Sequence, residues 1–165
     1  MTVGNFSAVE LCNGLKYKRP VTKSDLKNYL RFFLDISVPD KVFAGDRFSP
    51  FDYLWYCFNS DFSAGKRLNN DAVVWASRAG GKTRVAAAAT FLDCVFKENC
   101  QVRILAGSGD QAGRMYDYLC EFVGNGFEDF VDGKIYKDKC SFKNGSKVEV
   151  LTQSAKSVRG QHVNK

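Results

Sequence analysis

At 165 residues the chain is long enough for one domain with a real core, and its 45% hydrophobic content argues against disorder. Basic residues outnumber acidic ones by 24 to 18, a net charge of +6 that is compatible with a nucleic-acid partner, with the cations spread along the sequence. No apolar run approaches membrane-spanning length, and Met1 to Ser7 lack the basic-then-apolar order of a secretory signal, which points to an intracellular protein.

Residues up to about Pro20 are irregular. Thr22-Lys23-Ser24-Asp25 then offers an N-cap, and Leu26, Tyr29, Leu30 and Phe33 have helical spacing, with Val38-Pro39 ending the helix. A second helix starts at Ser49-Pro50, serine as cap and proline in the first turn, with Phe51, Leu54, Trp55 and Phe58 as its apolar stripe. Ala64 to Asp71 is a polar connection. Ala72 to Ala76 is short, apolar and β-branched, as a buried parallel strand should be. The alanine-rich run Arg84 to Leu92 favours helix.

Gln101 to Ala106 reads as a second strand, Gly107 to Asp110 as a turn with Ser108 or Asp110 as cap, and Gln111 to Val123 as a helix with Met115, Tyr118, Leu119 and Phe122 inward. This β-α-β-α alternation predicts a parallel sheet with helices on its faces. Lys134 to Tyr136, Lys139 to Phe142 and Lys147 to Thr152 read as short strands, and Asn144-Gly145 signals a hairpin between the last two. The tail from Gln153 to Lys165 is polar and loop-like.

The six cysteines, Cys12, Cys57, Cys94, Cys100, Cys120 and Cys140, show no C-x-x-C spacing, and His162 is the only histidine. Neither a zinc site nor a redox motif is supported, and the thiols read as reduced and mostly buried.

The stretch from Val73 to Thr83 carries the chemistry. A phosphate-binding loop follows G-x-x-x-x-G-K-[ST]. This copy keeps Gly81, Lys82 and Thr83, has Ala76 in place of the first glycine, and adds Arg78 inside the loop. Gly80 and Gly81 leave room for backbone N–H groups to converge on phosphate oxygens, and the helix that follows points its positive end at the same anion. Lys82 can reach the β- and γ-phosphates, and the Thr83 hydroxyl can ligate Mg²⁺. The plain alternative is a glycine turn that happens to precede a lysine.

A hydrolase of this kind normally needs an apolar strand ending in carboxylates that hold Mg²⁺ and prepare the attacking water. Asp93, Glu121, Glu128-Asp129 and Glu149 are the candidates, and none follows four apolar residues. The chain stops at Lys165, where that strand is expected, so the sequence reads as part of a longer protein.

Four segments resemble, in order, the N-terminal ATPase part of a large terminase subunit, the motor that packages DNA in tailed phages. They are Phe48 to Tyr53, similar to the adenine segment; Trp75 to Thr83, the variant loop with an early arginine; Ile104 to Ala112, the following strand and helix start; and Phe142 to Ser146 with Ser157 to Gln161, a hairpin and an Arg-Gly loop. The resemblance covers Phe48 to the C-terminus, while the acidic strand, the coupling segment and the nuclease domain of the family are absent.

The resemblance implies an α/β fold of the P-loop NTPase type, three layers α/β/α around a mainly parallel sheet, incomplete at its C-terminus. Residues 1–47 would form a small helical and irregular N-terminal segment, and 48–165 a partial ATPase domain. It implies ATP and Mg²⁺ as cofactors. Ser77, Arg78, Ala79, Gly80, Gly81, Lys82, Thr83 and Arg84 would bind phosphate, with Phe51 and Tyr53 against adenine and Thr83 on the metal. Arg78 and Lys82 would act in catalysis, and Arg159 would be an arginine finger toward a neighbouring subunit. The implied partners are double-stranded DNA, a portal protein, a small terminase subunit and further copies in a ring, in the host cytoplasm and without a membrane. A superfamily 2 helicase-like ATPase and a nucleotide-binding module without hydrolysis are the competing expectations.

Overall fold

A computed structural model describes residues 14–42, 45, 48–60 and 72–151. The chain divides between Ser37 and Val38 into two compact units, ten residues ahead of the boundary expected at residue 47.

The first unit is organised around helix α1, Lys23–Leu34. Thr22 and Asp25 form a reciprocal capping box: the Thr22 hydroxyl accepts from Asp25 N at 3.1 Å and the Asp25 carboxylate accepts from Thr22 N at 2.9 Å. Leu26, Tyr29, Leu30 and Leu34 are buried. Phe33, expected inward, is only half-buried, and its ring lies 4.8 Å from that of Tyr29. The helix ends before Val38-Pro39, because Asp35 turns left-handed (φ 51°) and the Asp35 and Ile36 N–H groups both close onto the Leu30 carbonyl.

The second unit starts with α2, Pro50–Asn59. Ser49 and Asp52 make a second capping box, and Phe51 N donates back to Pro39 O at 3.0 Å. Phe51, Leu54, Cys57 and Phe58 are its buried residues, with Trp55 half-buried. Helix α3, Lys82–Phe96, follows the glycine-rich loop, then β1, Gln101–Leu105, and α4, Gly109–Gly124, capped by Ser108. A 3₁₀ turn, Glu128–Phe130, leads to β2, Lys139–Ser141, and β3, Lys147–Leu151.

The described residues are thus mixed α/β with a small three-stranded mixed sheet in the order β1-β3-β2. β1 runs parallel to β3, with Val102 opposite Val148, and β2 runs antiparallel to β3, with Cys140 opposite Val148. Val102, Ile104, Cys140 and Val148 are buried. Helix α4 packs on β1 and β3 and also against α3, which in turn packs against α2. Phe91 of α3 anchors this core, edge-on to Phe122 at 6.0 Å and to Phe127 at 4.9 Å. In α4 the buried face is Ala112, Tyr116, Leu119, Phe122 and Val123, so Tyr116 takes the inward place expected for Met115 and Tyr118.

Two local expectations are corrected. Ala72 to Ala76 pairs with no described strand, and Val73 and Trp75 are 94% and 98% exposed. Strand character in such a run comes from ladder partners on both sides, which local propensity cannot supply. Lys134 to Tyr136 is not a strand either: Tyr136 N turns back to Lys139 O at 2.9 Å, and Val131 makes the bridge to Phe142 instead. The hairpin does form, with a three-residue loop. Phe142 N donates to Ser146 O and Gly145 N to Phe142 O, so the glycine (φ 83°) takes the left-handed third place.

Cys57, Cys94, Cys100 and Cys140 are buried thiols and Cys120 a half-buried one, as expected. Among the described residues no helix is long and apolar enough to cross a membrane.

Candidate phosphate-binding site

Ala76 to Gly81 is a tight turn that hands the chain to α3. Gly80 N donates to Ser77 O at 3.3 Å. A Cβ on Gly80 would stand 3.2 Å from that same carbonyl, closer than side chains normally sit, so glycine is the residue that fits there. Ala79 (φ 57°) and Gly81 (φ 74°) both lie in the left-handed region. For alanine that conformation stores roughly 1–3 kcal/mol of strain, a feature concentrated at functional loops.

The Lys82 ammonium curls back over the turn and donates to Ala76 O at 2.8 Å and Ser77 O at 2.6 Å. The loop is therefore closed around its own cation. Ser77, Arg78, Ala79, Gly80, Gly81, Lys82 and Thr83 are all exposed. These seven predicted residues are brought together on one accessible turn.

The start of α3 differs from the starts of the other described helices. Thr22, Ser49 and Ser108 each cap their helix with a side-chain oxygen, and Asp25, Asp52 and Asp110 stand in the respective first turns. The α3 N-cap is Gly81, with no side-chain hydrogen bond and no acidic residue in the first turn, where Lys82 and Arg84 stand instead. Cations at the positive end of a helix dipole are unfavourable by about 0.3–1 kcal/mol each unless an anion joins them. The first N–H groups of this helix also lack side-chain acceptors, the situation that an incoming phosphate resolves.

Other predicted residues lie elsewhere. Arg84 turns away from the loop toward α4, 3.6 Å from the Glu121 carboxylate and with its guanidinium 5.9 Å from the centre of the Tyr118 ring. It ties α3 to α4. Phe51 is 1% exposed, and the structure places its ring in the core. Tyr53 is half-buried; burial chiefly pushes its hydroxyl pKa above the usual range, with smaller contributions from Cys57 and Asp93. Asp93 is eleven positions beyond Lys82, about 16 Å along a helix, so the structure groups Tyr53 with the far half of α3 rather than with the loop. Arg159 and the Arg-Gly loop lie outside the described residues.

Asp93, one of the acidic candidates, is fully buried and ion-paired with Lys97 at 2.6 Å, one helical turn on. Lys97 also donates to Cys57 O at 3.0 Å and so joins α2 to α3. Glu149 pairs with Arg103 at 3.1 Å across the parallel strands. Among the described residues no group of three or more His, Cys, Asp or Glu side chains is placed to hold a metal ion. A metal at this loop would have to be held by Thr83 together with the phosphates it accompanies.

One arrangement escaped the sequence reading. The Asn144 carboxamide donates to the carbonyls of Cys94 and Lys97, at 2.8 and 3.1 Å, and Ser146 Oγ donates to Lys97 O at 2.7 Å while accepting from Cys100 N. The hairpin loop thereby caps the C-terminus of α3, the helix whose other end carries the glycine loop. The Asn-Gly-Ser run was visible in the sequence, but its target lies nearly fifty residues upstream. No protein-family model matches the chain, and neither does any curated protein.

Proposed function

We propose that this chain binds the phosphates of a nucleoside triphosphate, ATP with Mg²⁺, at the turn from Ser77 to Thr83. The observation that carries the reading is the α3 N-terminus: unlike α1, α2 and α4 it lacks a side-chain cap and a first-turn carboxylate, and it carries Lys82 under a glycine turn. Backbone N–H groups and the helix dipole would hold the anion, Lys82 would exchange the Ala76 and Ser77 carbonyls for phosphate oxygens, and Thr83 would face the metal. Mg²⁺ would neutralise charge on the β- and γ-phosphates. Arg78, exposed on the turn, is available to the γ-phosphate as a positioned guanidinium.

The resemblance to large terminases extends this proposal to the ATPase part of a DNA-packaging motor. In that setting the fold is a three-layer P-loop type, and hydrolysis drives double-stranded DNA into a capsid. The order of the four similar segments supports this, as does the parallel β1–β3 pair.

The test is calorimetric titration of the full chain with Mg²⁺·ATP, repeated with Lys82→Ala. The expected result is saturable binding that the substitution abolishes, with the unfolding temperature unchanged without ligand. Equal affinity in the two proteins would remove the assignment.

A further inference from the structure

The segment that enters the glycine turn carries one flat side chain. From Ala72 to Thr83 the single aromatic residue is Trp75, and it is 98% exposed. An indole in that position leaves a large apolar face in water for a ligand to cover. Its root is fixed beside the phosphate anchor. The Lys82 ammonium holds Ala76 O at 2.8 Å, and Ala76 is the residue directly after Trp75.

The charge on this stretch has one sign. From Ala72 to Leu92 the sequence holds Arg78, Lys82 and Arg84 and neither Asp nor Glu. Arg84 is engaged by Glu121, while Arg78 and Lys82 stand exposed on the turn. A ligand that matches both features is anionic at one end and flat and apolar at the other. The aromatic residues expected on a base are placed elsewhere: Phe51 is buried in the core, and Tyr53 lies with Asp93 at the far half of α3. An apolar protein patch would cover the indole but leave the two cations unmatched.

We propose that Trp75 is the platform on which the nucleobase lies when the turn from Ser77 to Thr83 holds the triphosphate, an inference that rests on the phosphate reading of that turn. The base is gripped through its face and not read along its edge. Stacking needs only a π-face, which every base has. Telling adenine from guanine needs hydrogen-bonding groups set against the base edge. The residues flanking Trp75, from Ala72 to Ala76, are alanine and valine, with no polar side-chain atom. The ligand class is therefore purine nucleoside triphosphates, with ATP and GTP held alike. Pyrimidines follow more weakly, because a single ring covers less of the indole.

Calorimetric titration of the full chain with the Mg²⁺ complexes of ATP, GTP and inorganic tripolyphosphate separates the two ends of the ligand. The parent should bind ATP and GTP within about threefold of each other, and tripolyphosphate about tenfold more weakly despite its higher charge. Trp75→Ala should lower the affinity for both nucleotides about tenfold and leave tripolyphosphate unchanged. Trp75→Phe should keep most of the nucleotide affinity, whereas Trp75→Leu, apolar but without a π-face, should not. Because the ring is exposed, all three variants should keep the parent's unfolding temperature. Unchanged ATP affinity in Trp75→Ala, full rescue by Trp75→Leu, or equal losses for ATP and tripolyphosphate would overturn the platform and leave the phosphate reading standing. So would a preference of the parent for one purine of about tenfold or more. If the parent binds neither nucleotide nor tripolyphosphate, the phosphate reading itself falls, and the platform with it.

Discussion

The Asn144 carboxamide donates to the Cys94 carbonyl at 2.8 Å, across 50 positions of the chain. The same amide reaches Lys97 O, and its own oxygen accepts from Ser146 N at 3.0 Å. One side chain therefore satisfies carbonyls that the end of α3 would otherwise leave open and also fixes the hairpin loop. Asn144→Ala removes all of this at a part-buried position. The expected destabilisation is about 2–3 kcal/mol, more than a single exposed cap would give. Urea denaturation with an unchanged slope checks it.

Gly145→Ala tests the neighbouring position. The backbone there is left-handed (φ 83°), and an added Cβ would run into the Asn99 carboxamide. Strain and steric conflict add, so the loss should exceed the roughly 1 kcal/mol that left-handed strain alone costs an alanine. A smaller loss, measured by the same denaturation, would show that Asn99 moves aside freely.

Lys97→Met asks what the buried ion pair does. Asp93 is 0% exposed, and the Lys97 ammonium is 2.6 Å away. Removing only the cation leaves a buried carboxylate without its partner charge, which costs about 3–5 kcal/mol. The double variant with Asp93→Asn should recover a large part of that loss. A single substitution as mild as an exposed pair, below about 1 kcal/mol, would mean that water reaches the site.

Stability should fall in alkaline solution. Burial pushes the Cys140 thiol from 9.0 up to about 11, and burial likewise raises the Tyr116 hydroxyl. A folded-state pKa above the unfolded one means that the unfolded chain loses its proton first. The contribution is complete below pH 9 and is lost as pH rises from there through about 11. Cys140→Ala should give a shallower decline between those limits, read from denaturation midpoints at successive pH values. Among the described thiols, Cys120 should react first with a thiol reagent at neutral pH, since the others are buried.

Much of the local structure was legible because it is decided within four residues. Thr22, Ser49 and Ser108 each accept from the backbone three positions on, and that spacing is written in the sequence. Asn144-Gly145 announced its hairpin for the same reason. Long-range facts were not legible. Ala72 to Ala76 looked like a strand because its composition is right, yet a ladder needs partners that composition cannot name. Arg84 looked like a phosphate residue because it follows Lys82-Thr83, yet one helical position rotates it toward Glu121 and Tyr118. Phe51 looked available to a base, while the core claims its ring. The glycine turn before Lys82 was legible too, since a helix entered through Gly80-Gly81 is itself a local conformational rule.

The chain has two tryptophans, and they stand in opposite circumstances. Trp55 is held in α2, while Trp75 is 98% exposed one residue before the glycine turn. The molecule thus carries its own optical reporter beside the candidate site. A blue shift or quenching of the red-edge indole emission, absent from a Trp75→Phe variant, would record any event that covers the turn, with no dye attached.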